Sequence, residues 1–183
     1  MDLIDIGQTV LGQVQRTAGP AQAEVFLLDS ESRVSDWSEN KPENRVVAQS
    51  RGLGLRLIRD NRLGFSFTNH WDKDTVENVI RQAVAASEST TPDPLLELPE
   101  PVEKLASNGL DLIDKTLTDT SWEPRTKFLE SLDGIVRKRE PRISKVLRGS
   151  YREGRAQVAV VNSKGVAAAY EGTSAAFSLA CVA

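Results

Sequence analysis

The stretch LGLRLIRDNRLGFSF, residues 53–67, carries the clearest folding signal in the chain. Its apolar residues recur at every second position on both sides of Asp60-Asn61, which is the pattern of half-buried strands. Asp and Asn tolerate the left-handed backbone that a tight hairpin turn requires. The stretch therefore predicts an antiparallel β-hairpin. The alternating residues are Leu53, Leu55, Leu57, Leu63, Phe65 and Phe67.

Helices are predicted on both sides of the hairpin. Apolar residues recur at helical spacing from Leu3, and that helix should end by Gly19-Pro20. After the hairpin, Asp74 is the predicted cap of a second helix that ends near Ser87. The sequence between the first helix and the hairpin predicts strands over 23–29, 32–38 and 45–50 and a turn at 40–42.

The second half of the chain also combines predicted helices and strands. Residues 110–113 predict a short helix, and Ser121 is the expected cap of a longer one. The apolar residues of that longer helix are Phe128, Leu129, Leu132, Ile135 and Val136. Three strands are predicted, 143–151, 156–161, and 166–170 continuing into 175–182, with a hairpin loop at 162–165.

Between the halves, residues 90–102 hold four of the eight prolines. Proline removes a backbone donor and disfavours helix before it, so this segment predicts an extended linker. The fold class is α+β, with an N-terminal helix, an antiparallel curved sheet with hairpins and a second helix, then the linker, helices and a further antiparallel sheet. The predicted domains are residues 1–90 and 103–183, joined by a linker at 91–102.

Composition narrows the functional class. Apolar residues make up 39% and charged residues 27%, and the net charge is −3. These values suit a soluble protein and give no global sign of nucleic-acid or membrane binding. The start has neither the basic residues nor the apolar run of a signal peptide. A single cysteine excludes an internal disulfide and favours a reducing, cytoplasmic location. Apolar alternation continues to Val182, so we expect the chain to be the front portion of a longer protein.

Catalytic chemistry is not predicted in this chain. A zinc site needs several converging ligands, and the sequence has one His, one Cys and no HExxH motif. We expect His70 to be a polar residue at a strand-to-helix junction and Cys181 to be a small buried hydrophobe. The expectation is therefore no catalytic, metal or cofactor site of its own.

Two features are candidates for contacts instead. The glycines of Arg51-Gly52-Leu53-Gly54-Leu55-Arg56 begin a strand rather than a helix, which argues against a phosphate loop and favours a bulge or a close backbone approach. Trp37 lies in a weak strand and is a candidate for an exposed contact, whereas Trp71 should hold the helix start against the sheet. The candidate peptide or subunit contacts are Arg51, Gly52, Gly54, Arg56 and Trp37.

A basic run leaves a second interpretation open. Residues 137–155 hold eight Lys or Arg and two Glu, as a nucleic-acid surface would. The solvated face of a helix end and a strand has the same composition, and only Tyr151 could stack on a base. We favour the solvated face. The basic residues are Arg137, Lys138, Arg139, Arg142, Lys145, Arg148, Arg152 and Arg155.

The order of these features resembles one family, the TldD/PmbA proteins, also called TldD/TldE and "modulator of DNA gyrase" (peptidase U62). The resemblance spans essentially the whole chain. It is carried by Ala23-Glu24-Val25 in the first strand, by residues 50–56, and by Arg62-Leu63-Gly64-Phe65-Ser66-Phe67-Thr68-Asn69. The next helix starts Trp71-Asp72-Lys73-Asp74-Thr75-Val76, without the proline that is usual in the family.

The resemblance is greater to the TldE/PmbA branch. Thr91-Pro92-Asp93-Pro94, residues 142–151, Asn162-Ser163-Lys164-Gly165 and the closing residues 178–183 fit that branch. It implies a non-catalytic scaffold, oligomer contact and chamber wall in a cytoplasmic TldD/TldE metalloprotease that degrades or processes unfolded peptides. Zinc is then expected only in the TldD-type partner. The alternatives are a gyrase-modulating or nucleic-acid-binding module that uses residues 137–155, and a TldD-type fragment without its metal helix.

Overall fold

A computed structural model of the chain describes residues 2–38, 41–102, 110–118 and 121–183. The chain forms two compact units, and neither is continuous in sequence. The first unit contains residues 1–29, 50–110 and 157–171. The second unit contains residues 30–49, 111–156 and 172–183. The predicted division into domains 1–90 and 103–183 follows sequence order, and it stays a prediction.

The fold is α+β, as the sequence predicts. The described elements are α1 (Leu3–Ala18), β1 (Gln22–Ser38), β2 (Lys41–Arg59), β3 (Arg62–Thr68), α2 (Lys73–Glu88), a 3-10 turn (Lys115–Thr118), α3 (Glu123–Arg139), β4 (Lys145–Asn162) and β5 (Ala167–Val182). The five strands form one sheet in the order β3-β2-β1-β4-β5. All except β3 contribute residues to both units.

The predicted hairpin is confirmed in the first unit. Strands β2 and β3 pair antiparallel from Leu53 opposite Thr68 to Arg59 opposite Arg62. Asp60 and Asn61 have φ of 51° and 58°. Both therefore occupy the left-handed region, which a two-residue turn of type I′ requires.

The core of the first unit lies between the helices and one face of its strands. The buried apolar residues from α1, α2, β1, β2 and β4 include Val10, Val14, Val25, Leu27, Leu53, Leu55, Leu57, Val79, Ile80, Ala159 and Val161. Gly64 of β3 faces α2 so closely that a Cβ there would lie 2.0 Å from the carbonyl oxygen of Ala83. The helix therefore covers Gly64 and Ser66, and the alternating Phe65 and Phe67 point away from the core.

Helix α2 begins earlier in the sequence than predicted. Its N-cap is Asp72, whose carboxylate accepts a hydrogen bond from the backbone N–H of Thr75 at 3.0 Å. This bond lowers the pKa of Asp72 below its usual range. The prediction of Asp74 as the cap is wrong, because Asp74 already lies inside the first turn.

The proline-rich segment has no helix or strand but is fixed to the first unit. The N–H of Leu98 donates to the Gln22 side chain at 2.9 Å, and Leu98 is buried. The Asn162 amide donates to the carbonyl of Pro99 at 2.8 Å, and Lys164 forms an ion pair with Glu97. The loop between β4 and β5 thus holds the segment in place, and its predicted hairpin is confirmed.

Strands β1, β2 and β4 are longer than predicted, because polar residues in the sequence were taken as breaks. Residues 23–29 and 32–38 belong to one strand, as do 45–50 and the strand of the hairpin. The same holds for 143–151 and 156–161, which both lie in β4, whereas the predicted continuation of 166–170 into 175–182 is confirmed in β5. Lys41 and Pro42 begin β2 rather than forming a turn, and Asn40 lies outside the described residues.

The helix predicted at residues 110–113 is absent. This segment is extended because its backbone bonds to β5: the carbonyl of Leu112 accepts from the N–H of Thr173 at 2.8 Å, and the N–H of Asp114 donates to the Thr173 hydroxyl at 2.8 Å. Helix α3 is confirmed, but the prediction of Ser121 as its cap is wrong, because Trp122 occupies the N-cap position and makes no side-chain capping bond; the Ser121 hydroxyl accepts from the N–H of Glu123 at 3.4 Å from the preceding position.

The buried side of α3 differs from its apolar pattern. Leu129 is buried as expected, but Arg125 and Asp133 are buried beside it. Ile135, predicted in the apolar stripe, is exposed. The reason is that charged partners in the second unit accept Arg125 and Asp133, as described below.

Candidate functional site: the open face of the first unit

In the part of the first unit that the structure describes, one face of the sheet is exposed and carries aromatic side chains. Successive residues of a strand point to opposite faces, so the buried Leu53 and Leu55 place Gly52, Gly54 and Arg56 on the other side. We call this side the aromatic face. It is formed by Phe26, Gly52, Gly54, Arg56, Phe65 and Phe67.

Phe65 and Phe67 are the most prominent residues of the aromatic face. Their side chains are 57% and 70% exposed, and the two rings lie 6.2 Å apart in a stacked arrangement. Phe26 of β1 is also exposed. Apolar residues clustered and exposed on a soluble protein commonly mark an interaction surface.

Gly52 and Gly54 leave two positions of β2 on the aromatic face without side chains. A Cβ on Gly54 would lie 3.5 Å from the Phe65 ring, in ordinary contact, so the ring lies beside this position. A Cβ on Gly52 would meet no atom within 4 Å. A partner can therefore approach the backbone of β2 at Gly52 without meeting a side chain.

Charge is present at one margin of the aromatic face. Arg56 donates to the carboxylate of Glu24 at 2.8 Å, and the Arg56 side chain is 44% exposed. Such a pair contributes little to stability because water screens it. The Arg56 guanidinium is therefore a hydrogen-bonding group beside the phenylalanine rings.

Three of the five predicted contact residues share this face. Arg51 points to the opposite side, where it pairs with Asp29 at 3.0 Å and its guanidinium lies 5.2 Å from the centre of the Trp71 ring. Trp71 itself packs against the core, as predicted. Trp37 lies in the second unit and is only 4% exposed, so the expectation of an exposed tryptophan is wrong. Its Cβ lies beside strand β4, where a Cβ on Gly149 would be 3.5 Å away.

The second unit contains a buried ion pair that the sequence did not reveal. Arg125 of α3 donates to Glu153 of β4 at 2.8 Å, and both side chains are less than a tenth exposed. Burial and the neighbouring Glu153 raise the pKa of Tyr151. The pair joins α3 to the strand, which explains why a charged residue lies on the inner face of that helix.

A second buried carboxylate, Asp36, is held by β4. Arg148 donates to one of its oxygens at 2.7 Å, while the other oxygen, Oδ1, is buried without a hydrogen bond. Burial alone would raise the pKa of Asp36, but hydrogen bonds from Ser150 and Arg148 outweigh it and hold the pKa below its usual range.

Much of the basic run is paired within the second unit. Arg137 pairs with Asp133 at 2.6 Å, Arg142 with Glu140 at 2.9 Å, and Arg148 with Asp36. Two of these carboxylates, Asp133 and Asp36, lie outside residues 137–155. The net positive charge counted over residues 137–155 alone is therefore larger than the charge that a polyanion would meet. This pairing favours the solvated-face interpretation of residues 137–155.

Residues that could hold a metal ion do not come together in the described ranges. No three His, Cys, Asp or Glu side chains there are grouped as metal ligands. His70 is exposed between β3 and α2, at the predicted junction. Cys181 is exposed, so the expectation of a buried cysteine is wrong; it lies on β5, which exposes most of its residues in the second unit.

Among the helices of the described part of the chain, none is both long and apolar enough to cross a membrane.

Two family models match the chain in sequence order. Residues 23–87 match domain 1 of the PmbA/TldA metallopeptidases, and residues 115–183 match their central domain. Together the matches cover most of the chain, so the protein belongs to the PmbA/TldD family. No curated protein shows a significant match.

Solved structures share its fold. TldE from Thermococcus kodakarensis superposes with a TM-score of 0.77 at 20% identity, over 95% of this chain and 38% of that one. A candidate modulator of DNA gyrase from Bacteroides thetaiotaomicron superposes with a TM-score of 0.82 at 19% identity, over 96% of this chain and 40% of that one. Another candidate modulator of DNA gyrase, from Thermotoga maritima, superposes with a TM-score of 0.73 at 9% identity, over 98% of this chain and 43% of that one. The chain thus spans about two fifths of the length of these structures.

Proposed function

We propose that this chain is the leading portion of a TldE/PmbA-type subunit, and that it acts without catalytic residues of its own in a TldD/TldE-type metalloprotease. Its role is scaffold, oligomer contact and wall of the chamber that receives unfolded peptides. The single observation that carries the proposal is the aromatic face, present on a domain that matches domain 1 of a metallopeptidase family.

The chemistry of the aromatic face supports a protein contact. Phenylalanine rings supply large apolar area at low conformational cost, and such residues dominate the energetics of interfaces. Gly52 and Gly54 allow a partner to reach the strand, and Arg56 offers hydrogen bonds at the margin. The assignment to the TldE/PmbA branch follows from the sequence resemblance, and a TldE structure has the same fold.

The proposal is tested with the TldD-type subunit of the same organism. We expect the complex to cleave an unfolded polypeptide in the presence of zinc and this chain alone to leave it intact. Replacing Phe65 and Phe67 by Glu should weaken the complex at least about tenfold, because charge would be buried against an apolar partner. Isothermal titration calorimetry measures the affinity, and peptide cleavage measures the activity.

Leu95→Glu is the matched control. Leu95 is a highly exposed apolar residue of the first unit outside the aromatic face, so its replacement should leave the affinity unchanged. Circular dichroism verifies that each variant is folded. Robust cleavage by this chain alone, or full affinity in the Phe65/Phe67 variant, would contradict the proposal.

A further inference from the structure

Two side-chain amides of the first unit bind the main chain of the proline-rich segment. Gln22 of β1 accepts a hydrogen bond from the backbone N–H of Leu98 at 2.9 Å. Asn162, at the end of β4, donates from its side chain to the backbone carbonyl of Pro99 at 2.8 Å. Such contacts bind an extended backbone whatever its side chains are, as in the recognition of peptides.

Two side chains of the segment add selectivity to this main-chain binding. Leu98 is 2% exposed, yet the core of the first unit, as far as the structure describes it, is assembled without this residue. Leu98 therefore fills a separate site. The preceding residue, Glu97, forms an ion pair with Lys164, and Glu100 lies 3.9 Å from the same ammonium group. The bound segment thus presents a leucine between two carboxylates that share one cation.

The loop between β4 and β5 orients the Asn162 side chain without help from the segment. The Oδ1 atom of Asn162 accepts from the backbone N–H groups of Lys164 and Val166, each at 3.0 Å, which leaves the NH2 group for the segment. Ser163 fixes the loop to β1, because its hydroxyl accepts from the N–H of Ala23 at 3.0 Å and its own N–H donates to the Ala23 carbonyl at 2.8 Å. These bonds do not involve the proline-rich segment, so the binding groups are preorganised for an extended chain.

The segment is held by few contacts. The carboxylates of Glu97 and Glu100 are largely exposed, so water screens their attraction to Lys164. Pro99 and Pro101 restrict the residues before them to extended backbone, so the segment is already extended when it is released. One buried leucine and two main-chain hydrogen bonds then remain, and regions with so few buried contacts open locally before the core unfolds.

We propose that Gln22, Asn162 and Lys164 form a recognition site, the amide site, for an extended segment with a glutamate, a leucine and a proline in this order. Residues 97–100 occupy the amide site as an intramolecular ligand. When they leave, a segment of the same chemistry from another polypeptide takes their place. The proposal uses neither the aromatic face nor catalysis, so it stands independently of the proposed function.

A fluorescent peptide tests the amide site in trans. The peptide is Leu-Leu-Glu-Leu-Pro-Glu-Pro-Val, the sequence of residues 95–102. Glu97→Gln/Leu98→Ala, the opened variant, weakens the intramolecular ligand, so we expect it to bind the peptide at least about tenfold more tightly than wild type does. A peptide with the glutamate and leucine of positions 97 and 98 exchanged has the same composition and should not bind. Fluorescence anisotropy measures both affinities.

A charge reversal tests the contact with Lys164. In the opened variant, Lys164→Glu should weaken the peptide about fivefold or more, because two carboxylates of the peptide then meet a third one. A peptide with lysine at the position of Glu97 should recover the affinity. Lys73→Glu is the matched control, since Lys73 is an exposed lysine of the first unit on α2, and it should leave the affinity unchanged.

Hydrogen exchange measures the release of the segment in the wild-type chain. The Leu98 amide should exchange faster than the amides of the buried leucines of β2, because release exposes it while the core stays folded. Circular dichroism verifies that each variant is folded. A Leu98 amide that exchanges only together with the core, an opened variant that binds no peptide, or equal binding of the exchanged peptide would each overturn the proposal.

Discussion

Asp36 illustrates how a single charge is held inside the second unit. Its carboxylate is almost fully buried, yet its pKa lies below the usual range because Ser150 and Arg148 donate to it. A lowered pKa in the folded state means that the charged form stabilises the fold. That stabilisation is present in full above the unfolded-state pKa of about 3.9, and it is lost as the pH falls through the folded-state pKa.

Asp36→Asn keeps the shape but removes this charge. We expect it to lower the free energy of unfolding at pH 7 by about 1–2 kcal/mol, at the lower end for a charged hydrogen bond because Arg148 is largely exposed. The difference from wild type should shrink as the pH falls below about 4, because the unfolded-state carboxyl takes up a proton there while the folded-state carboxyl stays charged to lower pH. Urea denaturation between pH 3 and pH 7 measures both.

The exposed Asp111 provides the control for this prediction. Asp111→Asn removes one negative charge from the same unit and should change stability little at either pH. A difference between Asp36→Asn and wild type that stays constant down to pH 3 would show that the charge of Asp36 has no part in the fold.

The sequence predicts the backbone conformation of some residues but not the burial of others. The turn at Asp60-Asn61 was predictable because the requirement for a left-handed backbone is local. The burial of Trp37 and the exposure of Cys181 were not, because they depend on which strands and helices cover each position. Of the contact candidates, Gly52, Gly54 and Arg56 share one face because they alternate with buried leucines.

At the scale of elements, the contact between β3 and α2 determines which side of the hairpin is open. Gly64 allows the helix to lie against the strand, since a Cβ there would overlap the backbone carbonyl oxygen of Ala83. The aromatic face exists because the phenylalanines alternate with this glycine. Sequence alternation predicted the strand correctly but could not tell which of its two sides the helix covers.

Gly64→Ala should therefore destabilise the protein. Backbone cannot move aside as a flexible side chain can, so we expect a loss of about 1–3 kcal/mol. Gly52→Ala is the matched control on β2, where a Cβ meets nothing within 4 Å, and it should be neutral or slightly stabilising. Urea denaturation monitored by circular dichroism compares the two. Equal stability of both variants would rule out the close packing of α2 on β3.

The lengths of the strands were the weakest part of the element prediction. Ser30 and Glu31 were taken as a break, although β1 runs through them. Polar residues are tolerated there because their side chains find partners: Glu31 accepts from Arg33 and from Gln49. Such partners come from neighbouring strands as well as from β1 itself, so local sequence could not reveal them.

At the scale of the whole molecule, the first unit is built from residues that lie far apart in the sequence. Ala159 and Val161 belong to its core, and Val161 packs against Gly7 of α1. The backbones of Ala23 and Ser163 also bond at 2.8 Å. The proline-rich segment marks where one predicted domain ends, but the residues that complete the core lie beyond it.

A fragment of residues 1–102 should therefore fail to fold cooperatively. It exposes the apolar surface that residues 157–171 cover in the longer chain. We expect no sigmoidal urea transition by circular dichroism. Fusing residues 157–171 to the fragment through a short Gly-Ser linker should restore a transition. A fragment that unfolds as cooperatively as the chain of 183 residues would instead support the sequence-order division at the linker.

The discontinuous first unit also sets an order of events during synthesis. Its helices and hairpin leave the ribosome early, but β4 and β5 are translated well after them. At roughly 5–20 residues per second, the leucines of β2 wait several seconds for the strands that complete their core. Synonymous codons that slow translation between residues 103 and 156 should therefore lower the soluble yield of the chain.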